Sequence, residues 1–343
     1  MIRIPMRVLV ALGLFVFFPA PPSTRADLLV VEPFDNRVVR YSDAGNYLGN
    51  FTSALPSSGF PFSYQLGGIA LSPQGDVLIA SQVTHQVLKF DGMTGASKGI
   101  FSSYFAPGGP GGMTFGPDGD LYVVGAIPGL STLTAGVMRF DGMTGAFKGM
   151  FASSPAFDEA FFVDDAFGLA FGPGGDLFVS MYDRVLRFDG ATGAVKDDFA
   201  SNLLYAAGLT IGPGGDLFVA ESRVEFGLVS RFDGASGEPE GTFATMDGIR
   251  ISQGTFLPSF PSGLAFGPGG DLFVADRNTS RIMRFDGVTG ASEGVFATQE
   301  VDHPTYLLFI PSAVSAVPEP SSLALVATGA GAIGLLLRRR AVR

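Results

Sequence analysis

The stretch FGPGGDLFV occupies residues 171–179 and returns letter for letter at residues 266–274. IGPGGDLFV at 211–219 is a near copy, and FGPDGDLYV at 115–123 and LSPQGDVLI at 71–79 are looser ones. Their aspartates, Asp76, Asp120, Asp176, Asp216 and Asp271, stand 44, 56, 40 and 55 residues apart. Self-similarity at such a period marks a repeat architecture and outranks a domain count drawn from length. Within the stretch, proline presets one turn dihedral and the glycines supply positive φ. GPxGD therefore reads as a tight reversal that launches an apolar run.

Two further markers follow each copy. FDGxTG or a close relative starts at Phe90, Phe140, Phe188, Phe232 and Phe285, and a phenylalanine closes the unit at Phe101, Phe151, Phe199, Phe243 and Phe296. DGxTG is a second reversal, in which Asp and Thr side chains tie to nearby backbone. Each unit holds four short runs rich in Phe, Val, Leu and Ile, bounded by Gly, Pro and Asp, which predicts four strands. In the last copy the runs are GLAF, DLFVA, RIMRF and EGVFA. DLFVA is apolar on both faces, as a strand covered by sheets on both sides must be. The expected fold is all-β, a propeller of four-stranded blades. Residues 27–51 match the last unit but lack its first strand, and PTYLLFIPS from Pro304 has the character of that strand. Six blades follow, with the C-terminal strand completing the first and removing a free sheet edge. Aspartates at the same turn position in every unit point to architecture rather than chemistry, and so do Asp91, Asp141, Asp189, Asp233 and Asp286 of DGxTG.

The two ends read differently. Arg3 and Arg7 precede an apolar run over residues 8–18, and small residues at Thr24 and Ala26 suit a signal peptidase. Residues 1–26 are expected to be a secretory signal peptide, since eleven apolar residues are too few to cross a bilayer. At the other end Pro318, Glu319 and Pro320 precede an uncharged run, 321–337, and then Arg338, Arg339, Arg340 and Arg343. As a helix that run would be about 25 Å long, enough for a thin bilayer, with the arginines holding its end on the cytoplasmic side. Of the 22 basic residues three lie before residue 27 and four after residue 317, and of the 32 acidic ones only Glu319 lies outside. The body keeps 15 against 31, a net charge of −16. Such a surface argues against nucleic acid, whose backbone demands clustered Lys and Arg. There is no cysteine, so an exported fold here relies on its core instead of disulfides.

Two resemblances follow from these residues. Pro318-Glu319-Pro320, an apolar helix and arginines, in that order, resemble the PEP-CTERM sorting signal of Gram-negative, biofilm-forming bacteria. This implies recognition by an exosortase-type processing enzyme, cleavage near the motif, and delivery to the cell surface or extracellular matrix. An ordinary C-terminal anchor is the alternative. GLAFGPGGDLFVADRNTSRIMRFD resembles the NHL repeat, and residues 27–310 are more loosely similar to the six-bladed streptogramin-lyase and SMP-30/gluconolactonase groups. The chain has no tryptophan, which speaks against a WD40 propeller. The domain reading is a leader at 1–26, a propeller at 27–312, and a linker with the sorting signal at 313–343.

With strands named a to d from the axis outward, the a–b and c–d turns share one face of the disc and hardly vary. The b–c and d–a connections share the other, and they run from Tyr182-Asp183 to AIPGLSTLTAG at 126–136 and ATMDGIRISQGTFLPSFP at 244–261. Variation confined to one face marks the working face of a repeat protein. His85 and His303 fall there, as does an acidic, aromatic loop with Asp158, Glu159, Phe161, Phe162, Asp164 and Asp165. These carboxylates offer either a cation or carbohydrate site, with Ca²⁺ as the natural ion, or a solvated loop packed by its phenylalanines.

The lyase and lactonase resemblance implies His, Glu and Asn ligands around the channel, holding a divalent ion. This sequence has two histidines, and after residue 50 only Asn202 and Asn278. GxSxG is spelled by GASKG at 95–99 and GASEG at 290–294, but both follow the DGxT turn without the strand-to-helix context of a nucleophile elbow, and no phosphate loop is present. A hydrolase of carboxylates from different blades stays open, because it would leave no linear motif. The expectation is an exported, non-catalytic propeller without a cofactor, binding matrix polysaccharide or a surface protein and touching membrane only through its C-terminal helix. The alternative is a metal-assisted lactonase or lyase.

Overall fold

Each GPxGD segment reverses the chain between strands a and b, and each DGxTG between c and d, so one repeat becomes one antiparallel sheet. The computed structural model describes residues 26–52, 55–56, 65–106, 109–126, 135–155, 157, 168–251 and 255–312. The expected leader up to residue 25, the sorting motif Pro318, Glu319 and Pro320, and the loop residues Asp158, Glu159, Asp164 and Asp165 lie outside them. Among the described residues there are six four-stranded sheets and no helix long and apolar enough to cross a membrane.

Blade 6 shows the plan: strand a is Pro261–Phe266, b is Leu272–Asp276, c is Arg281–Phe285 and d is Ser292–Ala297. Blades 2 to 5 repeat it over residues 66–102, 113–152, 169–201 and 206–247. Blade 1 is shared between the ends. Ala26–Glu32, Arg37–Tyr41 and Tyr47–Asn50 supply b, c and d, while Tyr306–Pro311 supplies a. The latch strand runs antiparallel to strand b with Val30 opposite Leu307 and Ala26 opposite Pro311. A small ribbon, Ile249–Arg250 with Phe256–Leu257, decorates the connection from blade 5 to blade 6.

The core is six interfaces between neighbouring blades. Leu29, Val31 and Ile310 of blade 1 pack on Leu66, Val77 and Ile79 of blade 2, and Leu28 and Val30 pack on Phe273 and Ile282 of blade 6. A strand wedged between two sheets buries both faces, and this is why DLFVA does not alternate. In blades 3 to 6 the third position is aromatic, Tyr122, Phe178, Phe218 and Phe273, and closes the interface. Phe218 meets Phe243 of its own blade and Phe266 of the next edge-on at 4.8 and 5.1 Å, and Phe273 treats Phe296 and Phe309 alike at 4.8 and 4.9 Å. Edge-to-face pairs of this kind add about 1 kcal/mol beyond their buried area.

The two glycines of DGxTG have separate tasks. A Cβ on the first, as at Gly92, would be driven into the carbonyl oxygen of Gly75, in the a–b turn of the same blade. The second, Gly95, has φ +70, and a Cβ there would strike the carbonyl oxygen of Phe51, the closing phenylalanine of the preceding blade. The same contact joins Gly145 to Phe101, Gly193 to Phe151, Gly237 to Phe199, Gly290 to Phe243 and, across the closure, Gly45 to Phe296. One motif thus seals the ring at every interface.

The recurring aspartates are consumed by this face. Asp91 Oδ1 accepts Thr94 N–H and Thr94 Oγ1–H at 2.9 Å each, and Asp141, Asp189, Asp233 and Asp286 repeat the turn. Backbone N–H donors to the charged form hold the Asp91 and Asp141 carboxyls well below the usual range. Four of the five GPxGD aspartates bind a cation on strand c, Arg139 to Asp120 at 2.6 Å, Arg231 to Asp216 and Arg284 to Asp271 at 2.5 Å, and Lys89 to Asp76 at 2.9 Å, while Asp176 pairs with Lys196 on strand d at 2.9 Å. On strand d, Lys98 bridges Asp76 and Asp91, and Lys148 bridges Asp120 and Asp141. Blades 5 and 6 carry Glu240 and Glu293 instead, which makes two three-carboxylate groups, Asp216–Asp233–Glu240 and Asp271–Asp286–Glu293. An arginine enters each: Arg231 lies 2.6 Å from Glu240 and Arg284 2.7 Å from Glu293.

Candidate functional site

The opposite face is built on a second, less visible repeat. The sixth residue of each DLFVA-type run is Glu32, Ser81, Gly125, Met181, Glu221 and Asp276 in blades 1 to 6. In the consecutive blades 5, 6 and 1 it is a buried carboxylate. Each accepts a backbone N–H from the d–a connection entering its own blade: Leu204 to Glu221 at 3.0 Å, Phe260 to Asp276 at 2.9 Å, Asp302 to Glu32 at 2.9 Å. Each also faces an arginine, namely Arg223 at 3.3 Å, Arg281 at 3.0 Å and Arg37 at 2.5 Å. A buried charge persists only when paired and hydrogen-bonded, and these three are both. Desolvation still dominates at Glu32 and pushes its carboxyl up to about 7.

These anchors fix what projects above them. Superposing the repeats places Tyr205, Phe260 and His303 at one position, three residues before the Gly208, Gly263 and Tyr306 that open onto the channel. Tyr182, from the b–c turn of blade 4, meets Tyr205 edge-on at 4.4 Å. Tyr205 faces Phe260 at 6.4 Å, and the Arg277 guanidinium lies 4.1 Å over the Phe260 ring. Across blade 1, Phe34 meets the His303 ring edge-on at 5.2 Å, and His303 Nδ1 lies 2.7 Å from Asp302. Rings from blades 4, 5, 6 and 1 therefore follow an arc on the loop face. Tyr182 and Tyr205 are each 46 % exposed. Tyr205 holds this place at φ +48 and His303 at φ +43, left-handed conformations that cost a side-chain-bearing residue on the order of 1 kcal/mol or more.

Of the residues expected here from sequence, His303 belongs to this arc. His85 lies in the b–c turn of blade 2 at φ +54, and its buried Nδ1 has no hydrogen-bond partner among the described residues. No hydrogen bond or ring contact among the described residues joins the two histidines. The arc itself and the carboxylates beneath it escaped the sequence reading. The signal for the carboxylates was the sixth position of the DLFVA run, where Glu32, Glu221 and Asp276 align.

The central channel encloses about 420 Å³ and is lined by the innermost strands, with Met113, Leu169, Leu209, Thr210, Leu264 and Leu307 among its walls. None of its described lining residues is His, Asp, Glu or Asn. At the loop end the strands nearly meet backbone to backbone: Gly68 N–H bonds Gly111 O at 2.9 Å, and Gly168 N–H bonds Ala207 O at 3.3 Å. A Cβ on Gly263 would be driven into Thr305 O. Glycine here narrows the channel and removes the side chains that could hold an ion.

Comparison with known proteins agrees with this architecture. Residues 259–285 match the NHL repeat and residues 316–340 match the PEP-CTERM protein-sorting motif. No curated protein matches the chain in sequence. Among solved structures, a chain of a nidogen/laminin complex is similar at TM-score 0.60 and 12% identity, covering 83% of this chain and 98% of that one. A gluconolactonase from Xanthomonas campestris is similar at 0.52 and 17%, covering 73% and 79%. A streptogramin B lyase is similar at 0.51 and 16%, covering 82% and 83%. Likeness at such identities is likeness of fold. The sorting motif implies processing by an exosortase-type system and export to the bacterial cell surface. The chain is a six-bladed β-propeller that carries an NHL repeat and a PEP-CTERM sorting motif.

Proposed function

We propose that the protein is a non-catalytic binding propeller of the extracellular matrix of a Gram-negative bacterium, and that its loop face binds matrix polysaccharide. The arc of Tyr182, Tyr205 and Phe260 carries this reading. The exposed rings of Tyr182 and Tyr205, the latter held at a backbone cost, and the half-buried ring of Phe260 lie beside Arg277 and the Asp302–His303 pair and offer flat apolar faces with polar groups at their edges. Pyranose rings present the complementary surface, one apolar face rimmed by hydroxyls. A surface protein is the other partner such a face accepts. The lactonase or lyase alternative requires nitrogen and oxygen ligands converging at the channel, and the described lining there includes no His, Asp, Glu or Asn.

Titration of the full chain in detergent against matrix polysaccharides, alongside simple lactones with and without divalent cations, tests the reading. Saturable polysaccharide binding without lactone turnover is expected. Metal-dependent turnover with no polysaccharide binding would overturn it.

A further inference from the structure

The termini of the described chain fix how the disc is presented. Strand a of blade 1, Tyr306–Pro311, leaves the loop face after His303 and ends at the turn face, where Pro311 lies opposite Ala26. Ser312 Oγ donates to Asp27 Oδ1 at 2.7 Å there, and Arg40, which pairs with Asp27, reaches Met93 O in the c–d turn of blade 2 at 3.0 Å. The tail therefore departs from the turn face, and from the strand nearest the axis.

We infer that, while the tail is still held in the membrane, the turn face of the propeller lies toward the lipid surface and the loop face points away from it. This rests on the reading of residues 321–337 as a membrane-held run until the sorting signal is processed. Residues 312–320 link Pro311 to that run, and the ten Cα–Cα steps from Pro311 to Ser321 span at most about 36 Å when fully extended. To bring the loop face to the membrane, the linker would first pass outward across strands b, c and d, about 14 Å at strand spacing. It would then run the length of a six-residue strand, about 20 Å. That path, about 34 Å, leaves the linker almost no slack, so the reverse orientation carries the full entropy cost of holding it extended along the blade, a cost the turn-face orientation avoids.

The groups nearest the lipid are then the tips of the DGxTG turns. Met143 is 73 %, Val288 82 % and Met93 59 % exposed. The carboxylates around them give this face no attraction for anionic lipid, so the linker alone holds it near. Processing at the sorting signal releases the disc.

The chain has no cysteine, so one introduced thiol reports one place. The full chain carrying Met143→Cys or Val288→Cys on the turn face, or Val224→Cys on the loop face, is labelled with a fluorophore. Val224 is 90 % exposed in the b–c turn of blade 5. The labelled chains are reconstituted through their tails into phosphatidylcholine vesicles containing a headgroup-nitroxide lipid. Quenching at positions 143 and 288 is expected to exceed that at 224 at least threefold. Equal quenching at all three positions, or stronger quenching at 224, overturns the orientation while leaving the tail reading intact. Failure of the chain to float with the vesicles removes the tail reading, and the orientation with it.

Discussion

Gly95, in the c–d turn of blade 2, lies so close to Phe51 of blade 1 that a Cβ at residue 95 would strike the Phe51 carbonyl oxygen. Gly75, in the neighbouring a–b turn, has a similar backbone at φ +83 but nothing within 4 Å of a Cβ. The pair separates two costs of alanine. Gly75→Ala carries only the left-handed penalty, about 1 kcal/mol, whereas Gly95→Ala adds a backbone displacement at a blade interface, for about 3–4 kcal/mol in all. Thermal unfolding of the two variants should show a drop in Tm about three times larger for Gly95→Ala.

The latch strand predicts a different loss. Ile310 is buried among Leu29, Val31, Leu66 and Ile69 of blades 1 and 2. Ile310→Ala should cost about 3 kcal/mol through the cavity it leaves. Hydrogen exchange should then accelerate first at the backbone amides of Leu28 and Val30, whose strand the latch covers.

Glu32 sets a pH dependence of stability. Its folded carboxyl titrates near 7, above its ordinary 4.5, so between those values the native state holds more protons than the unfolded chain. Stability therefore falls as pH rises from about 4.5 to about 7 and levels off above it, by on the order of 3 kcal/mol at most. Glu32→Gln keeps an acceptor for Asp302 N–H and should flatten that slope in denaturant unfolding measured across the same window.

The turn aspartates act in the other direction. Hydrogen bonds from Thr192 Oγ1 and Thr192 N–H, at 2.7 and 2.8 Å, lower the Asp189 carboxyl, so its contribution is present above about pH 4 and lost as pH falls toward the folded value. Thr192→Ala removes the hydroxyl donor. The carboxyl carbon of Asp189 should then titrate at higher pH by NMR, while Asp233 and Asp286 keep their values.

Tyr205 predicts a trade of stability against binding. At φ +48 glycine is free of the penalty that tyrosine bears. Tyr205→Gly should leave Tm unchanged or slightly raised, while polysaccharide affinity falls about tenfold or more, read by titration calorimetry beside thermal melting.

Much of this architecture is legible in the sequence because each repeat states it locally. GPxGD and DGxTG name their turns, the runs between them name the strands, and residues 27–51 with PTYLLFIPS name the split blade. Why both DGxTG glycines recur was not legible, since Gly95 answers to Phe51 in another blade. The aspartates read correctly as architecture, but their partners, Arg231 or Lys98, sit one or two strands away and emerge only with the register. The aromatic arc is harder still. Tyr205, Phe260 and His303 share a repeat position but not a residue type, and Tyr182 comes from a different turn; only the ring brings Tyr182, Tyr205 and Phe260 side by side.

The measurement that bears most directly on the account compares the two faces of the disc. Saturation-transfer NMR of the full chain with matrix polysaccharide would be run for the wild type, for Tyr182→Ala/Tyr205→Ala on the loop face, and for Met143→Ala/Val288→Ala on the turn face. The account predicts transfer to the sugar protons in the wild type and the turn-face variant, and its loss in the loop-face variant at an unchanged Tm. Transfer that survives the loop-face changes, or disappears with the turn-face ones, would contradict it.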